Sequence, residues 1–226
     1  MTRIRETIFR GTYSNVIYTL DGRFEMYKGI DWPKYNSGNE EYTDLISFSA
    51  LKYFVIRDLE RINGDFSIGK MLKTMILEPG FNYIFWMRVT RFFYLRNNKV
   101  LFLITNIIRR HYSLKFGYQI SYRSQILPGF AIAHWGYILI QGKTKIGSNC
   151  YVRPGVIMGK KSVYQDAFQT VGDNVEFGAG VILAGTLDIG DYVTIGANSV
   201  VLNDIPSNST AVGVPARVVR NYGGFH

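Results

Sequence analysis

The chain has three histidines and one cysteine, the side chains best suited to moving protons or attacking carbonyl carbons near neutral pH. His111 sits in an RRHY stretch at the end of a predicted helix. A cation suits the C-terminal end of a helix dipole, so its role is structural. His226 is the last residue. His134 lies between Ala133 and the pair Trp135 and Gly136, at a break in a sequence repeat. By residue type alone, an isolated histidine is a satisfied structural side chain. Cys150 occupies an apolar position of that repeat, equivalent to Val175 and Val181. It is therefore a small buried hydrophobe and not a nucleophile.

The repeat has a period of six and is clearest over residues 171–201. Val171, Phe177, Leu183, Ile189, Ile195 and Val201 are the apolar anchors, followed by Gly172, Gly178, Ala184, Gly190, Gly196 and Leu202. Neither a helix nor an ordinary strand has this period. A parallel β-helix does, with one short strand and one turn per hexapeptide. Each aliphatic side chain points into a narrow triangular core, and the small residue beside it lets the chain turn. The same period starts at Ile120 and runs through Ile126 and Ile132 to Ile138. It resumes two residues out of step at Ile140, Ile146, Val152 and Met158. His134 stands at the slip. Residues 159–170 have few anchors and predict a loop excursion. Three hexapeptides make one coil, so residues 118–206 predict about five coils, with Pro215 breaking the strand pattern and capping the end.

Ahead of the repeat, helical spacing predicts an α-helical domain over 49–117, in four helices. One ends at Asn63 and Gly64, the second is closed by Glu78, Pro79 and Gly80, and the fourth ends near Gly117. Residues 1–48 form an arm without assigned chemistry. In it, strands flank the turn signal Asp21 and Gly22, and a polar loop follows over 31–44. The third and fourth helices carry aromatic residues and arginines from Phe81 to Arg96. That pattern fits either a helix at a membrane interface or a helix packed on others with its arginines reaching outward.

A formal net charge of +9 implies an anionic partner or surface. Nucleic acid has only this charge in its favour, and no nucleic-acid-binding module accompanies it. A single cysteine excludes a disulfide framework, and the longest apolar run, over 100–108, is too short to span a bilayer. The expected location is cytoplasmic, with peripheral contact to the inner membrane face as an option.

Residues 171–219, ending in GVPAR, and the segment LPGFAIAHWGYILIQGKTKIGSNCYVRPGVIMG over 127–159 resemble the hexapeptide-repeat acyltransferases, in particular their serine acetyltransferase branch. The helical part, with RDLER and EPGFNYIFWMRVTRF, is most similar to members from surface-polysaccharide clusters. The resemblance covers about residues 50–220 and implies a mainly β fold. This is a left-handed parallel β-helix over 118–220, ending in a C-terminal cap and preceded by an α-helical domain, assembled as a homotrimer. Two positions depart from the serine acetyltransferase pattern. Ala133 stands where an aspartate precedes the catalytic histidine, and Phe168 stands where a second histidine helps hold the amino-acid acceptor.

The resemblance implies that His134 is the general base. It would take the proton of an acceptor hydroxyl attacking the thioester of acetyl-CoA, then return that proton to the leaving thiolate, without a covalent enzyme intermediate. Backbone N–H groups of the corners would stabilise the oxyanion. Asp166 or a backbone carbonyl of an adjacent subunit would orient the imidazole. Trp135 would wall the acceptor pocket or stack on a sugar ring. By the same resemblance the pantetheine arm passes Gly178, Ala179, Gly196 and Ala197 between subunits, and Arg217, with Lys160 and Arg220, meets the CoA phosphates. The function expected is O-acetylation of a sugar hydroxyl in capsular or other surface-polysaccharide biosynthesis, the acceptor being nucleotide-linked, lipid-linked or polymeric. The alternatives are serine O-acetylation, N-acetylation of a nucleotide-linked amino sugar, and a non-catalytic β-helix scaffold. A metal enzyme of the carbonic anhydrase kind needs three histidine ligands; two of the three here lie outside the repeat, so no metal is expected.

Overall fold

The computed structural model describes residues 16–18, 24–26, 45–164 and 166–221. The chain forms two compact units, residues 1–41 and 42–226. In the first, β1 (Val16–Tyr18) and β2 (Phe24–Met26) pair antiparallel, with Val16 opposite Met26. The Asp21 and Gly22 turn, the loop expected over 31–44, and His226 lie outside the described residues.

Four helices follow, each delimited by local chemistry. The Ser47 hydroxyl accepts the Ala50 N–H at 3.0 Å to start α1 (Phe48–Asn63), and Gly64 ends it in the left-handed region at φ 81°. Ser67 caps α2 (Ile68–Leu77) through the Lys70 N–H. Pro79 does more than stop α2: it opens α3 (Pro79–Leu95) at a first-turn position, where its missing N–H costs nothing. Asn98 caps α4 (Lys99–Phe116), and Gly117 closes it at φ 81°.

From Tyr118 the chain winds into three parallel sheets. One stacks β3 (Tyr118–Ile120), β6 (Ile138–Ile140), β9 (Ile157–Gly159), β12 (Ile182–Ala184) and β15 (Val200–Val201). The second stacks β4 (Gln125–Ile126), β7 (Thr144–Ile146), β10 (Gln169–Val171) and β13 (Leu187–Ile189). The third stacks β5 (Ala131–Ile132), β8 (Tyr151–Val152), β11 (Glu176–Phe177), β14 (Thr194–Ile195) and β16 (Ser209–Gly213). The period-six anchors fall into vertical columns, such as Ile126, Ile146, Val171 and Ile189, and all four are buried. Regular coils advance eighteen residues, as from Leu183 to Val201, but the first advances twenty, from Ile120 to Ile140. The two extra residues bulge out at the corner that contains His134. The larger excursion lies between β9 and β10, where the sparse anchors place it. At the far end the strand pattern does not stop at Pro215. β17 (Ala216–Asn221) turns back antiparallel on β16, so a hairpin closes the solenoid.

Helix α3 closes the opposite end. Its Tyr83, Ile84 and Met87 join the same buried core as the coil residues. Its arginines turn inward, contrary to the expectation that they reach outward. Arg88 is 1% exposed, pairs with equally buried Asp58 of α1 at 2.9 Å, and donates to the carbonyls of Ile126 and Leu127. Arg91, also buried, donates to the Tyr122 carbonyl at 3.0 Å. The cause is the solenoid's first coil, whose outer edge has no preceding coil to satisfy its carbonyls. Asp58 accepts from the N–H groups of Gly129 and Phe130 at 2.9 and 3.0 Å. Burial pushes its carboxyl upward, while Arg88 and these two donors pull it back toward the ionised form. Gly80 lets α3 approach this closely, since a Cβ there would stand 2.6 Å from the Ile132 carbonyl oxygen.

Candidate active site

The strand β5 ends at Ile132, and the Ala133 N–H donates to the Val152 carbonyl at 3.0 Å, keeping the chain in register to the brink of the corner. His134 then adopts φ 55°, in the left-handed region. Gly136 follows at φ 153°, and a Cβ there would crowd Pro154 at 3.0 Å. The Tyr137 carbonyl accepts the Gly155 N–H at 2.6 Å, and Ile138 rejoins the wall in β6. The surplus residues can go only outward. His134, Trp135 (73% exposed) and Tyr137 (47% exposed) all face solvent from this corner.

What holds the corner is Tyr118, whose hydroxyl donates to the His134 carbonyl at 2.7 Å. Its ring is fully buried and stands 5.2 Å from Tyr83, centroid to centroid. Burial, reinforced by the Glu78 carboxylate, raises the phenol well above its ordinary range, so it stays a donor throughout the working pH range. Tyr118→Phe is therefore expected to lower kcat for acetyl transfer about tenfold and leave KM for acetyl-CoA unchanged. The stability cost should be about 1 kcal/mol, that of one hydrogen bond. Steady-state kinetics beside a thermal melt check this, and an unchanged kcat would remove Tyr118 from the site.

The other sequence-predicted residues are placed as follows. Ala133 is buried, so no acid precedes His134. Both oxygens of Asp166 are taken by ammonium groups, Lys143 at 2.6 Å and Lys160 at 3.1 Å, which hold its carboxyl below the usual range. Asp166 is thus bound to lysines and not to His134, and the Lys160 charge assigned to a phosphate is shared with it. Phe168 is 55% exposed, and the Lys143 ammonium lies 4.8 Å from its ring centroid.

Gly178 and Gly196 follow β11 and β14 on consecutive coils. A Cβ on Gly178 would stand 2.5 Å from the Ala197 nitrogen, and one on Gly196 2.7 Å from Val212 Cγ1. Their missing side chains thus admit the next coil, whereas Ala179 and Ala197 are exposed. Arg217 and Arg220 are exposed on β17. His134 follows β5 of the first coil and these arginines lie on β17, five strand steps away, roughly 24 Å along the axis at about 4.8 Å per step. Only a ligand extended along the solenoid touches both. Cys150 is fully buried and its thiol is pushed up to about 12 by burial, so it is inert, as its core position predicts.

Tyr118 and Tyr137 were not singled out by sequence. Tyr118 stands two residues before Ile120, a core position of the repeat, and that position predicts its burial but not the reach of its hydroxyl. Tyr137, two residues from Trp135, makes the corner doubly aromatic.

The solenoid of hexapeptide coils after a helical domain is the fold of the hexapeptide-repeat acyltransferases. More closely, the chain belongs to the serine acetyltransferase family. It is 30% identical to the serine acetyltransferase of Helicobacter pylori strain J99 over 148 residues, covering 65% of this chain and 85% of that one. It is 31% identical over 153 residues to the Synechococcus elongatus serine acetyltransferase, covering 67% of this chain and 62% of the relative's length. It is 38% identical over 103 residues to the colanic acid biosynthesis acetyltransferase WcaB of Escherichia coli K12, covering 46% and 64%. Among solved structures, Neisseria gonorrhoeae serine acetyltransferase in complex with serine matches with a TM-score of 0.65 at 27% identity, over 77% of this chain and 71% of that one. A serine acetyltransferase complex with CoA matches with a TM-score of 0.63 at 28% identity, over 76% and 70%. These matches give the solenoid its left hand. No protein-family model matches the chain.

Proposed function

We propose that the chain is an acetyl-CoA-dependent O-acetyltransferase whose acceptor is a saccharide hydroxyl, with His134 as general base. The observation behind the acceptor is the environment of residues 133 and 168. By the resemblance to serine acetyltransferases, a buried methyl group and an exposed phenyl ring take the places of that family's acid and second histidine. What remains around His134 is Trp135 and Tyr137, flat surfaces suited to a sugar ring. The chain's relatives also include an acetyltransferase of colanic acid biosynthesis, 38% identical over 103 residues.

His134 takes the hydroxyl proton as the acceptor oxygen attacks the thioester carbonyl. The tetrahedral intermediate collapses to the acetyl ester as the C–S bond breaks, and the CoA thiolate leaves with the proton held by His134. The outward alanines Ala179 and Ala197 line the path of an extended donor toward Arg217 and Arg220. In a homotrimer that path runs along the cleft between two solenoids. Lys160 contributes to phosphate binding only by loosening its pair with Asp166.

Serine is the second reading, favoured by the family itself and by the serine-bound structural relative. Thiol release from acetyl-CoA with serine, nucleotide sugars and de-O-acetylated polysaccharide separates the two. Turnover with a saccharide giving an alkali-labile ester supports the proposal. An alkali-stable product indicates N-acetylation of an amino sugar, and turnover with serine alone defeats the saccharide reading.

A further inference from the structure

Helix α4 is packed on one side only. Phe102, Thr105 and Arg109 face the protein. Phe102 stands 5.1 Å from Tyr122, and Arg109 donates to the Tyr83 hydroxyl and the Ile120 carbonyl. The opposite side is apolar and open. Val100, Leu103, Ile104, Ile107 and Leu114 are between 49% and 77% exposed, and their spacing of three and four residues puts them on one stripe. A single large apolar residue on a surface needs no explanation, but five on one face of an 18-residue helix, interrupted by exposed His111 between Ile107 and Leu114, do.

The charges decide what covers it. The helix carries no aspartate or glutamate. Lys99 and Arg110 lie along one edge of the stripe and Lys115 along the other, all exposed, and none has an ion-pair partner among the described residues. A two-fold contact through this face would set these cations against their own images, with no acid on the helix to balance them, and a contact with any other face would have to find acids on a chain whose formal net charge is +9. An anionic lipid surface instead takes the apolar stripe into its acyl boundary and meets the basic edges with phosphate. No described helix, α4 included, is long and apolar enough to cross a membrane.

We propose that α4 lies in the plane of an anionic bilayer surface, as a peripheral anchor for the enzyme. This does not depend on the saccharide reading. It differs from the expectation for the aromatic and basic residues from Phe81 to Arg96, half of which the structure buries.

Flotation of the full chain with vesicles tests it. The protein should float with phosphatidylcholine vesicles containing about 30% phosphatidylglycerol at about 0.1 M salt, and not with phosphatidylcholine alone. Ile107→Asp with Leu114→Asp should weaken binding about tenfold or more. Lys99→Gln with Arg110→Gln should weaken it about fivefold per charge. All four positions are exposed, so melting temperature and thiol-release activity should match the wild type. Ile107→Cys offers a second readout, because Cys150 is buried: an environment-sensitive dye placed there should shift to the blue on anionic vesicles alone. Absence of flotation, undiminished flotation of the double aspartate variant, or self-association that this variant abolishes in lipid-free solution would each overturn the proposal.

Discussion

Replacing His134 with asparagine is expected to lower kcat/KM for acetyl transfer by about 10²–10⁴-fold, the usual contribution of a positioned general base, while CoA affinity and the melting temperature stay close to wild type. Asparagine is the informative substitution because the residue sits at φ 55°. Asparagine tolerates that conformation, whereas alanine adds a backbone penalty of about 1 kcal/mol or more. The imidazole is exposed, so its loss opens no cavity and breaks no core contact. The Tyr118 hydroxyl bonds the backbone of residue 134 and not its ring, so the corner keeps its anchor in the variant. The readout is thiol release under saturating acetyl-CoA, with CoA binding measured separately. Activity within about threefold of wild type would show that the acceptor is deprotonated elsewhere, and the histidine would revert to a turn residue.

The solenoid was legible because its geometry leaves each anchor one kind of neighbour. An inward residue every six positions meets only the anchors above and below it, so Val171, Phe177 and Leu183 have to be apolar and their spacing has to persist. The slip between Ile138 and Ile140 was legible for the same reason, and it located the corner of His134. The two caps were harder to see. Arg88 looks like a surface arginine in sequence, and only the carbonyls of Ile126 and Leu127, nearly forty residues further on, make its burial favourable. Gly178 and Gly196 illustrate a different limit. A missing Cβ has the same signature whether a ligand or the next coil fills the space, and here Ala197 and Val212 occupy it. The Tyr118 hydrogen bond crosses from one coil to the corner sixteen residues later, a pairing that a period of six does not encode.

The largest effect on stability is expected at the junction of the helices with the first coil. Arg88→Ala should destabilise the fold by about 3–5 kcal/mol, because it strands a buried carboxylate instead of merely deleting a contact. Asp58 would keep the N–H groups of Gly129 and Phe130 but lose the guanidinium that neutralises it. The Ile126 and Leu127 carbonyls would lose their donor in the same step. For a unit of this size the melting temperature should fall by roughly 6–20 °C. Asp58→Ala should do comparable damage from the other side, leaving a buried cation over the Phe54 ring, whose centroid lies 4.8 Å from it. The double change Asp58→Leu with Arg88→Met is expected to cost clearly less than the sum of the single alanine changes, since no charge is then left unpaired. It should still fall below wild type, because four backbone groups of residues 126–130 lose their partners. Those residues lie in the coil that ends at His134, so catalysis provides a second measure of the same lesion. Below the melting transition, the single variants should lose kcat beyond the fraction unfolded, and the double variant should recover part of it. Additive single changes, or a melting temperature that moves by less than about 2 °C, would mean that the pair fastens nothing and that the apolar core of α3 alone holds the helices to the solenoid.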